Sequence, residues 1–215
     1  MTTIKDDREA VLALLSANKP PPDDMRQKHT AETAATSALT TPPPDVLLRR
    51  FCIAAKNNAA TIAEVGGLEN VPSAAAAYMR DNNIPPKLLC SPSLAKLDWQ
   101  NAKLSAECRP ATSDDHCAIT DIIAAAADTG AMLVSNQTPY QLTHSLLPPM
   151  HIATFPADAI VADLPNVWRR MQKAKDNSLI ASLFCGPSRT GDIEQTITLG
   201  AHGPLRVHLI IYKGA

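Results

Sequence analysis

Short apolar runs alternate with amphipathic segments along most of this sequence. Apolar runs of about four to eight residues are typical of buried strands, whereas apolar residues repeated every three or four positions indicate helices. The runs that predict strands are 60–65, 87–90, 104–109, 117–120, 124–127, 131–135, 151–155, 179–185 and 207–212. The segments that predict helices are 45–57, 72–82 and 164–175. This alternation predicts a three-layer α/β/α domain whose sheet is mainly parallel and covered by helices on both faces.

The segment around residue 125 is open to two interpretations. Asp128-Thr129-Gly130 is a turn signal between two apolar runs, which predicts an antiparallel hairpin of strands 124–127 and 131–135. The alternative is an alanine-rich helix over 119–127, since alanine favours helices. We expect the hairpin.

The N-terminal part of the chain differs from the rest. An amphipathic helix is predicted from Thr3 to Ala17, and a Thr/Ala-rich segment bounded by two proline triplets follows it. We therefore expect residues 1–44 to form an N-terminal helix and proline-rich linker, and residues 45–215 to form the main domain. Its first helix is expected to bury four apolar residues, namely Val46, Leu47, Phe51 and Ile53.

Composition and charge exclude several classes of function. The 215 residues carry a formal net charge of −1, which argues against a nucleic-acid groove because such a groove needs a concentrated basic face. The sequence contains no run of about 18 apolar residues, so no membrane span is predicted. Its acidic start is unlike the basic start of a signal peptide. We therefore expect a cytosolic protein. The five cysteines are scattered singly, without a C-x-x-C motif, so no metal site or iron–sulfur cluster held by this chain alone is expected.

The most informative segment is GPSRTGDIEQTITLGAHGP, which begins at Gly186 and ends at Pro204. It follows one predicted strand and precedes another. A strand, a Gly/Ser/Thr turn and a short helix form an anion site, because free backbone N–H groups point out of the helix start. We expect such a site here, with polar side chains around the turn. They are Ser188, Arg189, Thr190, Asp192 and Glu194.

Each of these polar residues has a functional and a structural interpretation. Arg189 can bind a carboxylate or phosphate through two hydrogen bonds, or it can form an ion pair with Asp192 or Glu194. Ser188, Thr190 and Asp192 can bind the ligand or cap the helix, and Asp192 has capping-box spacing to Gln195. Glu194 can act as a general base or nucleophile, or be a solvated surface residue.

Residues outside this turn are further candidates. His151 and His202 can bind ligand or transfer protons, or be structural, and they lack the third partner that a metal site needs. Asp128 and Thr129 suit a hairpin turn on local grounds alone. Cys185 can be a nucleophile. More commonly, a cysteine at such a position is a small buried apolar residue.

Four segments resemble one known family in residue type and in order. They are Asp128-Thr-Gly-Ala-Met-Leu-Val134, Leu147-Pro-Pro-Met-His-Ile152, the GPSRTGDIE block and the HGP that follows it. From about residue 45 to its end, the chain resembles the lactate-utilisation (LUD) domain family, and more narrowly its protein C group. The resemblance implies a fold similar to the sugar-phosphate isomerase and CoA-transferase group. It also makes Asp128 a candidate catalytic residue and Thr129 a candidate ligand-binding residue. It also implies a setting, a system oxidising L-lactate to pyruvate whose other two proteins carry iron–sulfur clusters.

We therefore expect an accessory or substrate-handling subunit of such a system. The expected ligand is an anionic small molecule, a carboxylate or phosphate. We expect no cofactor on this chain and iron–sulfur clusters on its partners. One alternative is an independent isomerase- or transferase-like enzyme that binds a phosphorylated or acyl ligand. Another is a non-catalytic scaffold that docks through the N-terminal arm. Whether the chain itself catalyses a step is left open.

Overall fold

The computed structural model describes residues 42–136, 139–174, 180–191, 197–199 and 202–214. This part of the chain contains four α-helices, three short 3-10 helices and twelve strands. The predicted N-terminal helix and almost all of the linker lie outside these residues, as do Asp192 and Glu194. The α-helices are α1 (Pro44–Asn57), α2 (Val71–Asp81), α3 (Gln141–Leu146) and α4 (Leu164–Lys173).

Six strands form the central sheet, in the order β1–β12–β7–β4–β2–β3, and every neighbouring pair is parallel. These strands are β1 (Thr61–Val65), β2 (Lys87–Cys90), β3 (Ser105–Glu107), β4 (Cys117–Asp121), β7 (Met150–Pro156) and β12 (Arg206–Tyr212). The predicted α/β fold with a mainly parallel sheet is confirmed.

The two faces of this sheet pack against different helices, because successive side chains of a strand point to opposite sides. On one face, Phe155 of β7 meets Phe51 of α1 edge to face, with ring centroids 5.5 Å apart. On the other face, Ile152 and Ile210 pack against Met79 of α2. Helices on both faces make the three layers that the apolar runs predicted.

A smaller sheet of four strands has the order β8–β5–β6–β9. Its strands are β5 (Ala124–Ala126), β6 (Met132–Ser135), β8 (Ile160–Val161) and β9 (Ala181–Phe184). Strands β5 and β6 are antiparallel, so the predicted hairpin is confirmed and the alternative helix over 119–127 is wrong. The three alanines of β5 are completely buried, which shows that packing on both faces outweighs their helix propensity.

Two local predictions were wrong. Ile53 is 63% exposed, because the buried stripe of α1 runs through Leu47, Phe51 and Ala55 at intervals of four residues. Residues 189–191, expected to form the turn and the start of a helix, form a strand. There, β10 (Arg189–Gly191) pairs antiparallel with β11 (Ile197–Leu199), whereas residues 192–196, over which the helix itself was expected, lie outside the described residues. Within the described residues, no helix is both long and apolar enough to cross a membrane.

Candidate functional site

A cavity of about 550 Å³ opens at the edge of the central sheet where β1 and β12 begin. Its walls come from the end of α1, the beginning of β1, the second half of α2, the turn before β10 and the beginning of β12. The lining residues are Ala59, Thr61, Tyr78, Asn82, Pro187, Arg189, Leu205, Arg206 and Val207. The volume lies in the range of ligand sites in proteins.

Two arginines give this cavity its chemistry. The side chains of Arg189 and Arg206 are exposed, and neither forms an ion pair with a carboxylate among the residues that the structure describes. Arg206 Nη1 donates a hydrogen bond to Asn82 Oδ1 at 3.1 Å, which orients its guanidinium. Guanidinium groups bind carboxylates and phosphates through pairs of N–H donors, so this cavity suits a small anion.

Two lining residues also hold a buried histidine, His208 of β12. Thr61 Oγ1 and His208 Nδ1 share a hydrogen bond of 2.8 Å, and the ring of Tyr78 stacks on the imidazole. Burial lowers the pKa of His208 to about 4, so this ring is neutral near pH 7. The positive charge at the cavity therefore comes from the arginines.

The segments that carry the family resemblance meet beside this cavity. Ser188 N donates to the carbonyl of Pro204 at 2.9 Å, which ties the GPSRT segment to HGP. Gly203 lies so close to Ser188 that a Cβ at that glycine would be 3.2 Å from Ser188 Cβ. Leu205 N donates to the carbonyl of Pro149 at 2.8 Å, which adds the LPPMHI segment.

The hairpin turn joins the same region through the end of α1. Asn58 Nδ2 donates to the carbonyl of Thr129 at 2.8 Å. Gly186 has φ +75°, and a Cβ there would clash with the carbonyl oxygen of Asn58. Gly130 has φ +72°, and its Cβ would lie 2.9 Å from Ala55 N. Both turns therefore need glycine in order to close against α1.

Of the predicted site residues, Arg189 lines the cavity and Ser188 lies next to it in the chain, partly buried against Gly203. His202 is exposed in the loop before β12. The backbone of Thr190 lies in β10, but its side chain lies outside the described part, as do Asp192 and Glu194. The roles of these residues stay predictions.

Asp128 and Thr129 are exposed at the hairpin turn. Ala131 N donates to Thr129 Oγ1 at 3.3 Å, which is a local turn contact. Cys185 is exposed rather than buried, contrary to the structural interpretation of this residue. Partial burial of its thiol and the charge of nearby Asp128 raise its pKa, which makes it a weak nucleophile at neutral pH.

His151 lies away from the cavity, in the middle of the sheet. It is completely buried, and its Nε2 shares a hydrogen bond of 2.8 Å with Thr120 Oγ1. Burial lowers its pKa to about 3, so a neutral core histidine is the role that these contacts support.

Four polar lining residues were not predicted from the sequence, namely Thr61, Tyr78, Asn82 and Arg206. Arg206 stands two residues after the HGP motif and opens the last strand, and this position is the one signal that could have identified it. The other three lie at the start of a strand or near the end of a helix, with no motif around them.

A second polar cluster lies at the opposite end of the central sheet's strands, where β2 and β4 end. The hydroxyls of Ser91 and Ser93 donate to Asp121 Oδ1 at 2.6 and 2.7 Å, and Gln141 Nε2 donates to the Asp121 carbonyl. Carboxyl ends of parallel strands are common ligand sites. Here the polar groups satisfy one another, and within the described residues no group of three His, Cys, Asp or Glu side chains could hold a metal ion.

Comparison with known proteins agrees with the resemblance seen in the motifs. The family model described as LUD domain matches residues 53–212. Lactate utilization protein C of Shouchella clausii (strain KSM-K16) is 29% identical over 126 residues, which are 57% of this chain and 54% of that protein. Lactate utilization protein C 1 of Bacillus mycoides (strain KBAB4) is 33% identical over 89 residues, which are 40% of this chain and 38% of that protein. The matched segments span about half the length of these curated relatives, or less.

One solved structure is similar in fold. It is the crystal structure of a DUF162 family protein from Deinococcus radiodurans, with a TM-score of 0.60 and 16% sequence identity. The similarity covers 80% of this chain and 99% of that one. At this identity the likeness concerns the fold alone.

Proposed function

Because the chain belongs to the LUD domain family, we propose that it is an anion-binding, substrate-handling subunit of a system that oxidises L-lactate to pyruvate. The observation that carries the proposal is the pair of arginines, Arg189 and Arg206, on one cavity. Lactate and pyruvate are both carboxylates, and guanidinium groups bind carboxylates through paired N–H donors. The names of the relatives, Lactate utilization protein C, support the same setting.

In this proposal the arginines hold the carboxylate, and neutral polar groups select the rest of the ligand. The Thr61 hydroxyl and the Asn82 side chain lie on the same cavity and offer hydrogen bonds to a hydroxyl or carbonyl oxygen. Both side chains already have partners, since Thr61 bonds to His208 and Asn82 accepts from Arg206. Their positions are therefore fixed before a ligand arrives, which lowers the entropy that binding would cost.

The oxidation itself needs a carrier for two electrons. The five cysteines of this chain are scattered singly in the sequence, which does not favour a cluster held by this chain. We therefore assign electron transfer to iron–sulfur partner proteins and substrate handling to this subunit. An independent isomerase- or transferase-like activity is the alternative, and tighter binding of phosphate esters than of carboxylates would favour it.

Binding measurements on single variants test the anion site. Lactate, pyruvate and inorganic phosphate are titrated by calorimetry into the wild-type protein, Arg189→Gln and Arg206→Gln. The matched control is Arg49→Gln, because Arg49 is also an exposed arginine but pairs with Asp45 on α1. We expect each cavity variant to weaken binding at least tenfold, and the control to bind like wild type. Equal affinities in all four proteins would contradict the proposal.

A reconstituted assay tests the subunit role. Lactate-dependent dye reduction is measured with the iron–sulfur partners alone, then with the wild-type chain added, and then with Arg206→Gln added. We expect the wild-type chain to lower the lactate concentration that gives half-maximal rate, and the variant to do so less. If omitting the chain changes neither rate nor affinity, the subunit role is wrong even where the anion site stands.

A further inference from the structure

A second, mainly apolar cavity adjoins the arginine cavity. Its volume is about 300 Å³. Its lining residues are Asn83, Ile84, Pro85, His116, Pro149, Met150, Leu205 and Arg206. Leu205 and Arg206 line both cavities, so one apolar and one cationic residue lie where the two cavities meet; we call this pair the shared wall.

The walls of this second cavity are held in place by backbone hydrogen bonds. Met150 N donates to the carbonyl of His116 at 3.2 Å, and Arg206 N donates to the carbonyl of Pro149 at 3.1 Å. On the other side, Ile84 N donates to the carbonyl of Met79 at 2.8 Å, which fixes the chain as it leaves α2. The cavity is therefore formed by the starts of strands and does not depend on a ligand for its shape.

Two features of the shared wall point to an elongated ligand. Leu205 is 47% exposed although it is a large apolar side chain, and it stands where the two cavities meet. Arg206 donates to Asn82, which lines the first cavity, and the next residue, Asn83, lines the second. A cation with an apolar cavity on one side matches a molecule that has an anionic head and a hydrocarbon arm.

We propose that the two cavities form one site for aliphatic carboxylates longer than lactate. The carboxylate binds Arg206 at the shared wall, and the hydrocarbon arm lies against Leu205, Met150 and Ile84. This inference rests on the proposed anion site and extends it by naming the class of ligand. No covalent step is involved, because the site binds the intact acid anion.

The proposal predicts how affinity depends on chain length. Each methylene that leaves water strengthens binding roughly fourfold, the equivalent of about 0.8 kcal/mol. We therefore expect the dissociation constant to fall in steps from acetate through butyrate to hexanoate, and to level off once the second cavity is full. Calorimetry on the full chain with these sodium salts measures the steps directly.

Two matched variants distinguish binding at this site from nonspecific hydrophobic binding. Leu205→Gln places a polar group at the shared wall, whereas Ile53→Gln makes the same kind of change at a 63% exposed position of α1 that lines neither cavity. We expect Leu205→Gln to lose most of the gain in affinity with chain length. Ile53→Gln keeps the whole gain. Equal gains in both variants would overturn the proposal.

Competition on the wild-type protein gives a second, independent readout. Inorganic phosphate and hexanoate both need Arg206, so phosphate must raise the apparent dissociation constant of hexanoate in proportion to its concentration. Hexanoate binding that phosphate does not weaken overturns the bipartite site. If phosphate and lactate bind through the arginines but affinity is independent of chain length, the extension fails and the anion site stands. If no anion binds at all, both fail.

Discussion

The ring of Tyr78 lies flat on the imidazole of His208, with centroids 3.7 Å apart and the ring planes inclined by 10°. Tyr78 lines the arginine cavity, whereas His208 is only 5% exposed. His208 Nε2 has no hydrogen-bond partner in the described part of the chain. A proton added to this imidazole would place a charge in a poorly solvated position, which is why burial lowers the pKa of His208 to about 4.

This arrangement predicts a loss of stability in mild acid. The unfolded chain binds a proton at His208 near the ordinary pKa of 6.5, whereas the folded chain binds it only near a pKa of about 4. Stability is therefore full above pH 6.5, falls as the pH drops from 6.5 to 4, and loses up to about 3 kcal/mol through this residue. Urea unfolding at a series of pH values measures this loss.

The variant His208→Phe tests the assignment, because phenylalanine keeps the stacked ring but cannot take up a proton. The slope of the unfolding free energy against pH gives the number of protons taken up on unfolding. Between pH 4 and 6.5 we expect this number to be smaller in His208→Phe than in wild type, by close to one. His151 remains and contributes to the same window, since burial also lowers its pKa, to about 3. Tyr78→Phe, which preserves both stack and histidine, should keep the wild-type slope. An unchanged slope in His208→Phe would exclude this residue as a source.

A second prediction concerns a lower pH range. Asp115 is almost buried, and it accepts hydrogen bonds from Arg109 Nη1 at 2.8 Å, Arg109 Nη2 at 2.6 Å, and the backbone N–H and hydroxyl of Thr112. Arg109 in particular holds the pKa of the Asp115 carboxyl well below its usual range. This stabilisation is present above the unfolded pKa, near 4, and is lost as the pH falls below it.

Asp115→Asn should therefore lower the free energy of unfolding by about 2 kcal/mol at pH 7, less than for a fully buried pair because Arg109 is partly exposed. The difference from wild type should shrink when both proteins are measured near pH 3. Asp45→Asn is the matched control, since the Arg49–Asp45 pair is exposed and contributes less than about 0.5 kcal/mol. If Asp115→Asn lowers the free energy of unfolding equally at pH 7 and pH 3, the cause is altered packing or hydrogen bonding rather than the lost charge.

Local sequence patterns predicted most of the strands and helices, because burial of a strand or of one helix face shows in the spacing of apolar residues along the sequence. The predicted strand 87–90 coincides with β2, and the hairpin around Gly130 was predicted from its turn residues. Prediction failed where pairing is not local. The turn at Gly186 has the composition of a helix start, yet Arg189 pairs with Leu199 across a ribbon.

The cavity was only partly predictable for the same physical reason. Arg189 belongs to a specific motif, so the sequence alone marked it as a candidate. Arg206 and Asn82 come together because β12 lies next to β1 and α2 packs over them, and strand order is a property of the whole fold. No spacing within the sequence indicates that Asn82 and Arg206 are neighbours.

The two turns that close against α1 give a prediction about backbone geometry. Gly186→Ala and Gly130→Ala each introduce a Cβ at positive φ and against backbone atoms of Asn58 or Ala55. We expect each to lower the free energy of unfolding by about 2–3 kcal/mol. Gly66→Ala is the control, because its Cβ would meet only the side chain of Asn70 at 3.3 Å, and we expect a change within about 1 kcal/mol. Thermal and urea unfolding compare the three, and similar losses in all would contradict the role of the two turns.

The last prediction separates charge from geometry at the arginine cavity. Arg206→Lys keeps the positive charge but replaces a planar fork of donors by a single ammonium group, which cannot hold Asn82 and a carboxylate in the same fixed geometry. We expect this variant to bind lactate roughly tenfold more weakly than wild type, and Arg206→Gln to bind still more weakly because it also loses the charge. Calorimetry at low and high salt distinguishes loss of donor geometry from loss of charge. Added salt should weaken lactate binding more in Arg206→Lys than in Arg206→Gln, because salt screens the point charge that the lysine variant keeps. Wild-type affinity in Arg206→Lys would mean that the cavity attracts anions by charge alone, without the donor geometry that Asn82 fixes.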